Sequence, residues 1–286
     1  MWRGSASRSR SITGSWGDAM RLKILHTTTY HFDQPVPYGL QQLRLIPKSR
    51  AGQTVVDWDM QIEGGRAQTE FTDHHQNRVS LISFDANATS IVVHCEGTVE
   101  TADLAGVIGK HGGFAPLWFF QSSTELTRAG ANVRRLARGL RDEHPEDLPR
   151  LHALSARILE EVPYEVGVTH AATSAEEAVE HGYGVCQDHA HIFVAAARSM
   201  GYPARYVSGY LMMDDRVHQD ASHAWAEVHV EALGWVGFDI SNGISPDRRY
   251  VRVATGLDYR DAAPVSGVRF GAGGEAMSID IQVQQQ

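Results

Sequence analysis

A cysteine, a histidine and an aspartate stand in local settings that suit nucleophilic catalysis. Cys186 follows the run Gly182-Tyr183-Gly184-Val185 and opens a predicted helix that stops at Gly201. Glycines allow the backbone to turn sharply and a substrate to approach closely. A helix start directs free N–H groups and the positive end of the helix dipole at the sulfur. Both effects favour the thiolate, which is the nucleophilic form, so we predict that Cys186 is a catalytic nucleophile.

Two later strand-like runs supply the partners that a thiolate needs. His223 lies in residues 222–228, and Asp239 ends residues 234–239. The separations of 37 residues from cysteine to histidine and 16 from histidine to aspartate suit neighbouring strands, which bring distant residues together. Histidine can accept the thiol proton and later protonate a leaving amine, and an acid can hold the imidazole in the required tautomer. We predict a Cys186-His223-Asp239 triad, with the Cys186 N–H as one donor to the oxyanion.

Each of these residues also has an ordinary structural interpretation. A free cysteine often packs as a small hydrophobe, a lone histidine is more often a surface or satisfied core residue, and Asp239 stands beside the turn-like Ser241-Asn242-Gly243. Their order and matched settings favour catalysis. The second functional hypothesis is a catalytically silent fold that serves as a binding or scaffold module. Loss of one triad residue would indicate such a module, and all three residues are present.

The composition narrows the class of protein. The chain has 286 residues, 42% hydrophobic and 21% charged, which is typical of a globular protein. A net charge of −8 disfavours nucleic-acid binding, and no apolar run approaches the length of a membrane span. With only two cysteines there is no disulfide framework. We therefore expect a cytoplasmic protein without nucleic-acid or membrane partners; the oligomeric state is left open.

Neither a metal nor a cofactor is expected. The histidine groups are His74-His75, His189 with His191, and His223 with His229. Residues two apart on a helix face different directions, and no spacing matches a zinc signature. Cys95 shares one strand face with Ile91 and Val93, so we expect it to be buried and inert.

The hydrophobic periodicity predicts an α+β fold in two parts after a leader. Residues 1–20 are rich in Ser, Arg and Gly and predict a disordered leader, with a transit peptide as the alternative. Residues 21–105 show the alternation typical of a small antiparallel β-domain. Residues 106–286 predict a catalytic domain, in which the cysteine helix packs on an antiparallel sheet and residues 256–274 form a long surface loop.

Several ordered blocks resemble the bacterial transglutaminase-like proteins. These blocks are residues 184–191, 205–210, 222–228 and 234–239 in the catalytic part, and 26–30, 43–47 and 258–265 outside it. The resemblance implies a papain-like fold, with Cys186, His223 and Asp239 as nucleophile, base and orienting acid. It also implies thiol acyl chemistry on the amides of a peptide or protein substrate, by hydrolysis or by transfer of a glutaminyl acyl group. Many bacterial members are regarded as candidate cysteine proteases. We therefore favour protease or amidase activity over cross-linking. His189 and Ile240-Ser241 depart from the family pattern, in which an aromatic residue and Pro-Thr are common.

Overall fold

The computed structural model describes residues 19–286 of the chain. Residues 1–18 of the predicted leader lie outside the described residues. The strands are β1 (Met20–Val36), β2 (Tyr38–Leu43), β3 (Gln53–Glu63), β4 (Gly65–Thr72), β5 (Arg78–Phe84), β6 (Ala88–Thr101), β7 (Val107–Gly109), β8 (Ala204–Leu211), β9 (His218–Gln219), β10 (His223–Val230), β11 (Gly234–Phe238), β12 (Tyr250–Gly256), β13 (Val265–Phe270) and β14 (Glu275–Gln285). The helices are a 3-10 helix (Leu117–Gln121), α1 (Ala131–Ala137), α2 (Leu140–Glu143), α3 (Asp147–Glu161), α4 (Ala175–His181), α5 (Cys186–Ser199) and α6 (Tyr259–Ala262).

Three antiparallel sheets organise the described residues, and the predicted α+β class is confirmed. Their strand orders are β3-β6-β1-β14-β9, β13-β2-β5-β4 and β12-β8-β10-β11-β7. We call the last one the catalytic sheet, because α5 packs against its strands β8 and β10. The first two sheets hold the N-terminal β-structure together.

The predicted boundary between residues 105 and 106 does not coincide with the division of the sheets. Strand β14 pairs with β1 along eleven residues, from Phe32 opposite Glu275 to Leu22 opposite Gln285. Strand β13 pairs with β2. With the short β9, which pairs with β14, three strands of the C-terminal segment therefore belong to the N-terminal β-structure. The long loop expected at residues 256–274 is wrong for the same reason, since α6 and β13 lie within it.

Local sequence signals account for most of the helices. Helix α3 buries Leu151, Leu154 and Ile158 completely, and each such side chain contributes about 1.5–3 kcal/mol by leaving water. Pro163 follows its end, as predicted. Helix α4 begins with the predicted capping box, in which Ser174 and Glu177 satisfy each other's backbone N–H groups.

Helix α5 is buried more completely than its sequence predicts. The periodicity indicates one apolar face, but all residues from Asp188 to Arg198 are buried. The catalytic sheet covers one side of the helix, and α1, α3 and α4 cover the other. Because of this enclosure, the polar side chains need internal partners, and Arg198 donates to the carbonyls of Phe120, Ala204 and Leu257. The helix that carries Cys186 is thus held on all sides.

A β-bulge changes one predicted strand face. Val56, Trp58, Met60 and Ile62 share one parity in β3, but Val56 is 49% exposed. The register shifts between Val55 and Asp57, so that Val56 has no opposite residue in β6. A bulge reorients the side chain it contains, and a simple alternation cannot reveal it.

Candidate active site

Cys186 is the first residue of α5, at the end of a turn that two glycines shape. Gly182 ends α4 with a left-handed φ of 77°, a conformation that favours glycine. At Gly184 a Cβ atom would lie 2.8 Å from the Cβ of Asp188, so the close approach requires glycine. The buried Asp188 carboxylate accepts the Val185 N–H at 2.9 Å and the Thr169 hydroxyl at 2.6 Å. Asp188 therefore fixes the turn that presents the partly exposed thiol.

His223 and Asp239 meet at one edge of the catalytic sheet. His223 is the first residue of β10, and Asp239 follows directly after β11, its antiparallel neighbour. The His223 Nε2 atom donates to Asp239 Oδ2 across 2.6 Å. Because Nε2 is used in this way, Nδ1 is the nitrogen left to interact with Cys186, whose side chain helps to raise the pKa of His223. The three residues predicted from the sequence are thus brought together in one chain of contacts.

Two residues that sequence reasoning missed hold the aspartate. The Tyr250 hydroxyl donates to Asp239 Oδ2 at 2.6 Å, and Asn242 Nδ2 donates to the same oxygen at 2.7 Å. Asn242 belongs to the turn-like segment that the sequence predicts, and its closeness to Asp239 in the chain is the signal for this second role. Tyr250 begins β12, which joins the sheet beside β8, and no local pattern indicates its contact. The carboxylate is therefore oriented from two sides besides His223.

The electrostatics of the pair favour a charged histidine and a charged aspartate. Burial alone would lower the pKa of His223, but the hydrogen bonds to Asp239 and Cys186 and the charges of both partners raise it to about 10. Burial alone would raise the pKa of Asp239, but the hydrogen bond and charge of His223, with help from Tyr250 and Asn242, lower it. At neutral pH the arrangement can therefore hold an imidazolium between a carboxylate and the cysteine sulfur.

His189 and Ser241, which depart from the pattern of the resembled family, contact each other. His189 Nε2 donates to the Val162 carbonyl at 2.7 Å, which leaves Nδ1 as the acceptor for the Ser241 hydroxyl at 2.8 Å. His189 is fully buried, and burial lowers its pKa, so that it is neutral. This hydrogen bond joins the helix that carries Cys186 to the segment that follows Asp239.

A cavity of about 190 Å³ opens beside the thiol. One wall comes from the start of α5 and the catalytic sheet, and the other comes from the N-terminal β-structure. Neither wall carries an aspartate, glutamate, lysine or arginine. Burial lowers the pKa of the lining residue His26 to about 4, so that it adds no charge. Residues that line it include His26, Thr28 and Tyr30 of β1, Met277 and Ile279 of β14, and Tyr206 and Tyr259. The cavity therefore suits an uncharged group.

Cys95 and the histidine groups show no catalytic arrangement. Cys95 is fully buried in the β-structure, and burial raises the pKa of its thiol to about 12. The rings of His74 and His75 lie with centroids 4.1 Å apart, tilted by 43°. Across residues 19–286, no three His, Cys, Asp or Glu side chains form a group that could hold a metal ion. In the same range no helix is long and apolar enough to cross a membrane.

Comparison with known families agrees with this geometry. Residues 134–240 match the transglutaminase-like superfamily, and residues 22–100 match the bacterial transglutaminase-like N-terminal region. The chain therefore contains a transglutaminase-like core at residues 134–240, preceded by a bacterial transglutaminase-like N-terminal region at residues 22–100. The first match ends directly after Asp239 and includes all three predicted triad residues. The second includes strand β1, whose residues His26, Thr28 and Tyr30 line the cavity.

Individual relatives resemble the chain over different lengths. An uncharacterized protein of Mycobacterium leprae is 27% identical over 275 residues, which are 92% of this chain and 98% of that protein. An uncharacterized protein of Mycobacterium tuberculosis is 37% identical over 143 residues, 46% of this chain and 45% of that protein. A protein-glutamine gamma-glutamyltransferase of Pseudomonas aeruginosa is 28% identical over 153 residues, 48% of this chain but 23% of the enzyme. The chain thus spans less than half of the last two relatives.

A solved structure shows the same fold. The crystal structure of a candidate cysteine protease from Cytophaga hutchinsonii superposes with a TM-score of 0.73 at 21% identity. The match covers 94% of this chain and 91% of that one. This transglutaminase-like protein therefore has the papain-like architecture that the sequence resemblance implied, including its N-terminal β-structure.

Proposed function

We propose that the protein is a thiol hydrolase that cleaves amide bonds of peptides or proteins, with Cys186, His223 and Asp239 as its catalytic residues. The observation that carries the proposal is the 2.6 Å hydrogen bond from His223 to Asp239, together with the cavity that Cys186 lines with Ser222 and Ala224, the two neighbours of His223 in the chain. Cys186 is the nucleophile, His223 moves the proton, and Asp239 orients His223 and stabilises its charge.

The first half-reaction forms a thioester. The Cys186 sulfur attacks the carbonyl carbon, a carbon–sulfur bond forms, and the carbonyl oxygen becomes an oxyanion. The Cys186 N–H is at the first position of α5, where no helical acceptor exists, and it can donate to this oxygen. The carbon–nitrogen bond then breaks as His223 gives its proton to the leaving amine.

The second half-reaction restores the thiol. A water molecule gives a proton to His223 and attacks the thioester, which releases a carboxylic acid and the Cys186 sulfur. We favour water over an amine because the partly exposed thiol faces a cavity that opens to solvent. An amine in place of water would form a new amide, which is the acyl-transfer reaction.

The cavity beside the thiol supports an uncharged residue on the substrate. Within residues 19–286 the hydroxyl groups of Tyr30, Tyr206 and Tyr259 have no hydrogen-bond partner, and they line a wall that is otherwise mostly apolar. They can donate to a neutral polar group, whereas a charged side chain would lose its hydration without gaining a counter-ion.

The test combines thiol labelling with product analysis. Alkylation by iodoacetamide, measured by mass spectrometry at each cysteine, should be fast at Cys186 near neutral pH and slow in His223→Ala. Peptide amides incubated with and without a primary amine then distinguish the acid product from the amide product. Cys186→Ala should abolish both products, and the matched variant Cys95→Ala should retain them.

Two results would contradict the proposal. Slow labelling of Cys186, equal in the wild type and in His223→Ala, would indicate a silent fold that serves as a binding or scaffold module. Loss of activity in Cys95→Ala with unchanged thermal stability would show that the nucleophile is assigned incorrectly.

A further inference from the structure

A basic cavity lies on the face of the catalytic sheet opposite α5. Ala204 and Ala226 pack in the core that contains α5, and the neighbouring side chains of Arg205 and Glu227 point to the other face, as strand alternation requires. The cavity there has a volume of about 300 Å³. Its lining contains no acidic residue but includes five cationic ones: Lys48, Arg50, Lys110, Arg205 and Arg252.

Two of the five cations are paired with one buried carboxylate. Glu227 is fully buried and accepts from Arg205 Nε at 2.6 Å and from an Arg252 terminal nitrogen at 2.9 Å. The Arg205 guanidinium also lies 3.8 Å above the ring centroid of Trp235. These contacts fix both guanidinium groups in place, and together the three residues still carry one excess positive charge.

The other three cations have no such partner. In the described part of the chain, the side chains of Lys48, Arg50 and Lys110 make no hydrogen bond and no ion pair. Burial, opposed by Glu227 and reinforced by Arg205, lowers the pKa of Arg50 to about 10. Burial and the charge of Arg50 also lower the pKa of Lys48. Glu227 opposes the shift at Arg50 and Asp73 opposes the shift at Lys48, yet both pKa values stay lowered. The protein therefore offsets only part of the electrostatic cost of gathering these cations.

We propose that this cavity binds a small, multiply charged anion of the phosphate type. Guanidinium groups match phosphate oxygens in pairs, and lysines add point charges. The volume is at the lower end of the about 300–1,000 Å³ typical of small-molecule sites. The whole chain carries a net charge of −8, which disfavours a long polyanion such as a nucleic acid. The cavity is separate from Cys186, so anion binding there does not depend on the proposed hydrolase activity.

The test measures binding of inorganic phosphate, tripolyphosphate, ATP and citrate by calorimetry and thermal denaturation at constant ionic strength. Tripolyphosphate should bind saturably at one site and raise the melting temperature, because a ligand that binds only the folded state stabilises it. Inorganic phosphate should bind more weakly, since it carries less charge. Comparison of tripolyphosphate with ATP separates a free oligophosphate from a phosphate ester.

Arg50→Gln and Lys110→Gln are the informative variants, because neither leaves a buried carboxylate unpaired, as a change at Arg205 or Arg252 would. Each should weaken tripolyphosphate binding at least about tenfold, the effect of losing one charge-assisted hydrogen bond. Arg66→Gln, on exposed β4 and outside the cavity, is the matched control and should bind as the wild type does. Without anion, Arg50→Gln should melt no lower than the wild type, because it removes a charged group that burial disfavours.

Three outcomes would overturn the inference. Binding that all three variants share equally would show a diffuse electrostatic effect. Binding of citrate with no binding of tripolyphosphate would exclude a phosphate-type ligand. A lower melting temperature of Arg50→Gln without anion, combined with no anion binding by the wild type, would show that the cluster is structural.

Discussion

Replacement of Asp239 by asparagine tests the electrostatic basis of the site. The amide keeps the shape of the carboxylate, and its oxygen can still accept from Tyr250, but the negative charge beside His223 is lost. Burial then opposes protonation of His223 with less compensation, so the imidazolium becomes less stable. The thiolate loses its counter-ion in consequence, and the reactivity of Cys186 should fall.

The size of the effect follows from the pKa of His223. The pKa is raised from 6.5 to about 10, which corresponds to about 5 kcal/mol of stabilisation of the imidazolium. Asp239 and Cys186 each contribute one hydrogen bond and one charge to that rise. Loss of the carboxylate charge therefore removes about 2–3 kcal/mol, which is about 30- to 150-fold in the equilibrium. We expect alkylation of Cys186 to slow by at least about tenfold and at most about 150-fold.

The assay is the rate of iodoacetamide alkylation at pH 7, measured at Cys186 and Cys95 separately. Cys95 provides an internal standard, because it is fully buried and its thiol pKa is about 12. Asp247→Asn is the matched control: Asp247 is ion-paired with Arg249 at 2.7 Å and does not contact His223. It should leave the labelling of Cys186 unchanged.

An unchanged rate in Asp239→Asn would refute the reasoning, provided that His223→Ala slows labelling in the same experiment. The acid that stabilises His223 would then be another residue. Thermal denaturation of each variant shows whether a slower rate reflects the site or damage to the fold. Increased labelling of Cys95 would identify a partly unfolded protein.

Three further predictions concern stability and specificity. Because folding raises the pKa of His223, the stability that protonation of His223 contributes is complete below pH 6.5 and is lost as the pH rises to about 10. In urea titrations, the free energies of unfolding of the wild type and of His223→Ala should therefore differ at neutral pH and become similar above pH 10. Glu227→Gln leaves two buried guanidinium groups without their carboxylate, so it should lower the free energy of unfolding by about 3–5 kcal/mol in the same titration. Met277→Lys places a positive charge in the uncharged cavity, so it should raise kcat/KM for acidic peptides relative to neutral ones. Ser278→Lys is the control, because Ser278 lies on the opposite face of β14, and it should leave this ratio unchanged. Equal effects of the two variants would show that the cavity does not select the substrate.

The helices and the triad candidates could be predicted because their signals are local. The capping box at Ser174 and the glycine turn before Cys186 act within a few residues, so composition and spacing reveal them. The pairing of β14 with β1 joins residues about 250 positions apart in the chain, and such register depends on the whole fold. The contact of Tyr250 with Asp239 could not be predicted for the same reason, since it depends on where β12 enters the sheet.

The cavity beside Cys186 illustrates the same limit. Met277 and Ile279 continue the apolar alternation of β14, and the sequence gives them the appearance of core residues. Among the apolar residues of this alternation in β14, only Ile281 and Val283 are buried, while Met277 is 56% exposed and lines the cavity. The alternation predicts which face of the strand is apolar, but it cannot show whether that face meets a core or a substrate.

The contact between His189 and Ser241 shows why the two departures from the family pattern belong together. His189 places a polar side chain where an aromatic one is common, Ser241 keeps the hydroxyl of the common threonine, and a buried polar group without a partner is costly. Together they satisfy each other, because the Val162 carbonyl fixes the tautomer in which His189 accepts from Ser241. The hydrogen bond connects α5 to the segment beside Asp239 without passing through His223. The distance between nucleophile and acid is therefore held by a contact that stays neutral while the catalytic histidine gains and loses its proton.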